Sequence, residues 1–326
     1  MRTPWVLLGS AAMASAGLYL AALTGSLGGM VLAILTPLPL FLVGLSIGGK
    51  AATWTGGAAT LVIGLASTSM GGALYLIAYA IPAAWLSDRA SLSRRSEQNP
   101  TGQTLEWYPP GLLCTWLTVI PIVVALMTFI YSFMSDGGME VLVTRLLEPF
   151  LRYYQSAYGA MLPGSEPLPP HQLEMIKALI VNVAPAMMAI GAMMTLFLNG
   201  ILAQSLLVRF GRNRRPSPSM SEIELPRPVI VTFGACFLIG VTIGGSTSYL
   251  GTTLAGILAF PIFLSGLGVA HAVAASTKVR LGILFTVYIV LMICTIHFLM
   301  SYFFFYFYKG IIFFIFRIIT PSHIFF

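Results

Sequence analysis

TPLPLFLVGLSIGGKAA, residues 36–52, can be read as a phosphate cradle or as the end of a membrane helix. Gly44, Gly49 and Lys50 fall at the spacing of the nucleotide-binding loop G-x-x-x-x-G-K-[ST]. That loop needs a buried strand before it and a hydroxyl at its last position to hold magnesium. Here the preceding residues are PLPLFLV, a further apolar run follows, and the last position is Ala51. The nucleotide reading fails, and Lys50 becomes a charge at the end of a membrane span.

The rest of the chain agrees. Its 326 residues are 57% apolar and 8% charged, with a mean hydropathy of +0.89, whereas soluble domains carry about 25% charged residues. Apolar runs long enough to cross a hydrocarbon core about 30 Å thick recur along it. The expected fold is all-α: a polytopic transmembrane helical bundle of about nine spans, at 5–23, 29–48, 51–68, 70–87, 111–134, 173–208, 228–246, 249–271 and 280–302. The first run follows Arg2 and contains A-S-A at 14–16, as a signal peptide does, but continues to Leu23, so an uncleaved helix is expected. Cys114, Cys236 and Cys294 each lie inside an apolar run and read as buried small side chains.

The net charge of +7 is a topology signal. With the N-terminus in the cytoplasm of a bacterial inner membrane, Arg2, Lys50, Arg89, Arg94, Arg95, Arg209, Arg212, Arg214, Arg215, Arg227, Lys278 and Arg280 share one side, twelve of the seventeen basic residues. The lipid bilayer then accounts for the excess, and no nucleic acid is needed. Residues 135–172, on the other side, hold Asp136, Glu140, Glu148 and Glu166 against Arg145 and Arg152. Within them Val141, Leu142, Leu146, Leu147, Phe150, Leu151 and Tyr154 recur at mostly three- and four-residue intervals. They predict an interfacial amphipathic helix between spans five and six, bent near Pro149. The loops at 87–110 and 211–228 read as polar, flexible and solvated. From Ser276 onward there is no alanine, and residues 302–326 contain nine Phe and three Tyr. This shift divides the chain into a membrane domain, 1–301, and an aromatic tail, 302–326, that an altered reading frame or gene end would append.

FLVGLSIGG (41–49) is echoed by FLIGVTIGG (237–245). Gly44 with Gly48, Gly240 with Gly244, and Ala12 with Ala16 are small residues four apart, the pattern that lets membrane helices approach closely. An inverted repeat is the other reading of the echo. Pro37 and Pro39 interrupt the second span, with Pro82, Pro185 and Pro261 as lesser breaks; a plain kink is the commoner outcome, and a helix broken at membrane depth is tolerated where its freed backbone is buried in protein or lines a cavity. If the break lines a small-solute site near Pro37 and Pro39, Asn182, Asn199 and Gln204 of the sixth span are its polar candidates, although such groups more often bond across to neighbouring helices. Asn182 and Gln204 are 22 residues apart and share a face if that helix is regular. No Asp or Glu lies deep in a span, so a self-powered ion-coupled carrier is not expected. His171 and Glu174 stand one turn apart, but two ligands do not make a metal site. No serine has a base to activate it. Neither enzyme activity, cofactor nor metal is expected.

TPLPLFLVGLSIGGKAA (36–52), GGAATLVIGLASTSMGG (56–72) and YAIPAAWLSDRA (79–90), with FLIGVTIGG and GLGVAHAVA (266–274), resemble the YybS-like family of predicted bacterial membrane proteins of unknown function, over residues 5–290. That family is distantly similar to the substrate-binding components of energy-coupling-factor transporters. The resemblance implies a solute-binding bundle docked on partner subunits energised by ATPases, with Ala12 and Ala16 facing the membrane partner. Nine spans depart from the six typical of those components, and the tail after residue 300 departs from the YybS-like pattern. The competing expectation is a membrane organiser that binds a protein partner through the loops at 88–110 and 210–227.

Overall fold

A computed structural model describes residues 5–95, 105–134, 137–161 and 170–293, and they are overwhelmingly helical. α1 (Trp5–Ala21) runs on as a 3-10 turn to Thr24, and α2 (Leu27–Ala33) with α3 (Leu38–Ser46) makes one interrupted span. α4 (Gly49–Ala66) follows, then α5 (Ser69–Tyr75), which passes through a π-helical turn (Leu76–Ala80) into α6 (Ile81–Ala90). After β1 (Ser93–Arg95) and β2 (Leu105–Trp107) come α7 (Pro110–Ser132), α8 (Gly138–Met161), α9 (Pro170–Arg209), α10 (Arg227–Thr242), α11 (Gly245–Ala275) and α12 (280–293).

Helices stand at all nine expected positions, but six are both long and apolar enough to cross a membrane among the described residues: Trp5–Thr24, Gly28–Ser46, Ser69–Ala90, Pro110–Ser132, Glu174–Arg209 and Gly245–Ala275. Lys50, three threonines and four glycines dilute the hydropathy of α4. α10 has 16 residues, about 24 Å at 1.5 Å per residue, short of a core about 30 Å thick. α12 is described only to residue 293, and the aromatic tail and Cys294 lie outside the described residues. Apolar side chains stand well exposed on α1, α4 and α12, with Val6, Leu65 and Leu281 all above 80%. In water such a surface would aggregate; in lipid it is the expected exterior.

Two compact units divide the chain. The first comprises Met1–Tyr131 and Ala186–Val269, the second Ser132–Pro185 and Ala270–Phe326. In the first, α1 packs on α4 and α4 on α6, over a core that includes Ala12, Ala16, Leu40, Ile63, Tyr75, Met193 and Ile257. Ala12 and Ala16 are 2% and 1% exposed, so they serve packing within the chain and face no outside partner. In the second unit α8 buries Met139 and Val143 and leaves Leu146 exposed. Arg152 donates to Glu148 at 2.7 Å and holds that carboxyl below the usual carboxylate range, by hydrogen bond first and by charge second.

The paired glycines do two jobs. A Cβ at Gly44 would collide with Ser87 of α6, and one at Gly240 would lie 2.8 Å from Thr252 Cγ2 of α11, so both mark close helix approaches. Gly48 and Gly244 are not on those faces. Each lies beyond its helix end with φ +135°, a conformation that L side chains rarely adopt. Both copies of the echo thus form helix, glycine turn and helix.

Prolines break less than expected. Pro185 and Pro261 lie inside α9 and α11, whose helical assignment runs through them. Before Pro82 the chain inserts one π turn and continues. The described parts of the loops are more firmly tied than their polarity suggests. Arg94 pairs with Glu106 across the β1–β2 ladder, at 2.8 Å. The 211–226 segment is tied down by a capped turn at Met220–Glu222, by Ser265 Oγ donating to Ile223 O at 3.1 Å, and by Ile223, which is buried.

Candidate functional site

The interruption between α2 and α3 follows from proline chemistry. Over residues 31–38 the backbone bonds are i to i−3: Ile34 N to Val31 O, Leu35 N to Leu32 O, Thr36 N to Ala33 O and Leu38 N to Leu35 O. In that pattern the carbonyls of Ile34 and Thr36 should accept from residues 37 and 39, which are prolines and have no N–H. Those two carbonyls are met by side chains instead. Asn199 Nδ2, from α9, donates to Ile34 O at 2.7 Å, and Ser15 Oγ, from α1, donates to Thr36 O at 2.7 Å. Ser15 Oγ also lies 2.7 Å from Tyr75 Oη. Ser15, Thr36, Tyr75 and Asn199 are all at most 2% exposed. The region beside Pro37 and Pro39 is therefore a buried polar knot that fastens α1, α5 and α9 to the break.

The cavity lies farther along α3. About 300 Å³ and partly open, it is walled by Phe41 and Leu45 of α3, Leu86 and Ala90 of α6, Leu113, Cys114 and Leu117 of α7, and Leu196, Phe197, Gly200 and Ile201 of α9. The pinned segment after α9 closes it with Arg215, Ser217, Pro218, Ser219, Met220 and Ile223, while Gln204 and Ser205 add polar atoms from α9. All these residues belong to the first unit. Van der Waals walls and a few polar groups are the usual make-up of a ligand pocket, and its size is at the lower end of their range of about 300–1,000 Å³.

Arg215 is the charge in this wall, and it is 8% exposed. Its Nη1 donates to Ala90 O at 3.1 Å and Tyr108 O at 3.5 Å, and its guanidinium carbon lies 5.8 Å from the centre of the Trp107 ring. Its Nε is buried without a hydrogen-bond partner. Its carbonyl is held in turn by Gln204 Nε2 at 2.8 Å and Asn213 Nδ2 at 2.9 Å. Burial pushes the Arg215 pKa down and the charge of Glu222 pulls it up, but a guanidinium stays charged at neutral pH. Among the described residues no carboxylate pairs with it within 4 Å.

The expected polar candidates separate. Gln204 lines the cavity, Asn199 is buried in the polar knot, and Asn182 is exposed in the second unit. Lys50 is exposed at the start of α4, with a helix rather than a strand before it. Glu174 accepts from Lys177 Nζ at 2.8 Å, so its nearest partner is a cation. No group of three or more metal-ligating side chains occurs among the described residues. Arg215 does not stand out in the sequence because GRNRRPSPS sets three arginines and one asparagine among loop-like residues. The available signal was the apolar Met220, Ile223 and Leu225 a few residues on, which a freely solvated loop has no use for.

A protein-family model described as Predicted membrane protein (DUF2232) matches residues 13–312. No curated protein and no solved structure matches the chain.

Proposed function

We propose a function from one premise: the chain belongs to the DUF2232 family of predicted membrane proteins. Within the membrane it binds a small, mainly apolar solute in the cavity between α3, α6, α7 and α9, beneath the 211–226 segment, and performs no covalent chemistry on it. The observation that carries this reading is an apolar cavity with one buried charge in its wall. Among the described residues no Asp or Glu is buried, which supports a binding component energised by partner subunits over a self-powered ion-coupled carrier. This is also the sense of the YybS-like resemblance and its distant similarity to energy-coupling-factor binding components. The distribution of basic residues supports a bacterial inner-membrane protein with a cytoplasmic N-terminus.

A thermal-stability screen of the purified protein against small apolar solutes tests the reading, with Gly200→Phe as control. A Cβ at Gly200 would sit 3.8 Å from Phe41 Cε1, so a phenyl group there enters the cavity. Solutes should raise the melting temperature of the wild type and not of the variant. Equal shifts in both, or none in either, would count against the cavity.

The organiser reading has one observation in its favour, the exposed strand β1 with Arg94 and Arg95. Capture of a cytosolic protein from native membranes that depends on Arg94 and Arg95 would support it. The 211–226 segment fits it less well, because its apolar side chains are spent on closing the cavity.

A further inference from the structure

We infer that the solute is an amphipathic anion, a single hydrocarbon body carrying a carboxylate or phosphate, and that Arg215 holds the anion; the inference rests on the cavity being a solute site. A buried charge is normally paired or fully hydrogen-bonded. Arg215, 8% exposed, has two carbonyl acceptors on Nη1, a tryptophan ring at 5.8 Å and nothing on Nε. Glu222, whose charge acts on it, is engaged elsewhere, its Oε1 accepting from Ser219 N at 3.3 Å. The guanidinium therefore retains its charge and one unused donor on a residue that lines the cavity, and a planar fork of N–H groups suits a carboxylate or phosphate better than any neutral ligand.

Shape and placement agree. Ser205 and Ser217 line the same cavity as Arg215, while Leu45, Leu86, Leu117 and Leu196 supply a wall with no charge of its own. The lining thus offers polar groups to an anion and apolar surface to hydrocarbon. A volume of about 300 Å³ suits one short chain and excludes a whole two-chain phospholipid. Such an anion reaches the site either from water, as a free amphiphile, or from the bilayer, as a single-chain lipid.

The test is equilibrium binding to the purified full chain in nonionic detergent, using decanoate, decyl phosphate, 1-decanol, inorganic phosphate and a lysophosphatidylglycerol. The wild type should bind decanoate and decyl phosphate at least tenfold more tightly than 1-decanol, and should not bind inorganic phosphate measurably. Arg215→Gln should lose at least tenfold in affinity for the two anions and leave 1-decanol unchanged, and Arg215→Lys should keep part of the anion affinity. Because Arg215 also ties down Ala90 and Tyr108 and its loss weakens the fold, the anion-to-alcohol ratio in the unmodified protein stands as a second readout. Tighter binding of lysophosphatidylglycerol than decyl phosphate identifies the bilayer as the source, and the reverse identifies water; both support the inference. Equal affinity for anion and alcohol, or an Arg215→Gln variant with undiminished anion affinity, overturns the anion assignment while leaving the cavity as a solute site. No binding by any amphiphile overturns both.

Discussion

Ser15→Ala removes one oxygen from the middle of α1 and should loosen the whole first unit. In the wild type that hydroxyl makes two contacts of 2.7 Å, one to Thr36 O and one to Tyr75 Oη, in a place that is fully buried. Hydrogen bonds between membrane helices average about 0.6 kcal/mol and reach about 1.7, because the unfolded helices find other partners in the bilayer. Thr36 O lacks that escape: Pro39 deprives it of its i+3 donor whether or not the helices are packed. Ser15→Ala should therefore cost about 2–3 kcal/mol, near the upper end for two bonds. Tyr75→Phe breaks one bond and leaves the other, and should cost about 0.6–1.7 kcal/mol. Since the two variants share a contact, their costs should not add. A double-mutant cycle, read by reversible unfolding in mixed micelles, should show a coupling of about 0.6–1.7 kcal/mol. Additivity to within about 0.3 kcal/mol, with Ser15→Ala as stable as the wild type, would refute the claim that the proline break is held by these side chains.

Four further outcomes follow from the same structure. Gly48→Ala should destabilise the protein by about 1–3 kcal/mol through its positive φ, and Gly244→Ala by a similar amount, in the same unfolding assay. Gly44→Val should be worse than Gly48→Ala for a different reason, overlap with Ser87, and Ser87→Gly should partly restore its melting temperature. Asn199→Leu should destabilise by about 1 kcal/mol, since the lost bond to Ile34 O is partly offset by removing the unpartnered Oδ1. Topology reporters inserted near residue 100 and near residue 213 should both report the cytoplasmic side; a split result would overturn the orientation.

Hydropathy made the helices legible because each span must satisfy its backbone internally, whatever its neighbours do. The same reasoning exposed the interruption at Pro37 and Pro39 but not what fills it. Whether freed carbonyls meet a ligand or a neighbouring side chain depends on packing, and Ser15 and Asn199 are distant in the chain from both prolines. Gly44 and Gly240 were readable as packing contacts, whereas Gly48 and Gly244 looked alike in spacing and differ only in lying past the helix end. The β1–β2 hairpin gave no signal: three-residue strands of SRR and LEW have no usable alternation. Arg215 was hidden among neighbouring arginines, since sequence shows that a residue is charged but not that its loop folds back and buries it.

The most direct test of the cavity as a solute site is photo-crosslinking with a diazirine-bearing decanoate, followed by peptide mapping of the labelled full chain. Labels should concentrate on Leu113–Leu117, Leu196–Ser205 and Ser217–Ile223, the walls of the cavity, and should be displaced by excess decanoate. Labelling confined to lipid-facing positions such as Val124 and Met127, which are 46% and 63% exposed, with none in the cavity, would contradict the account.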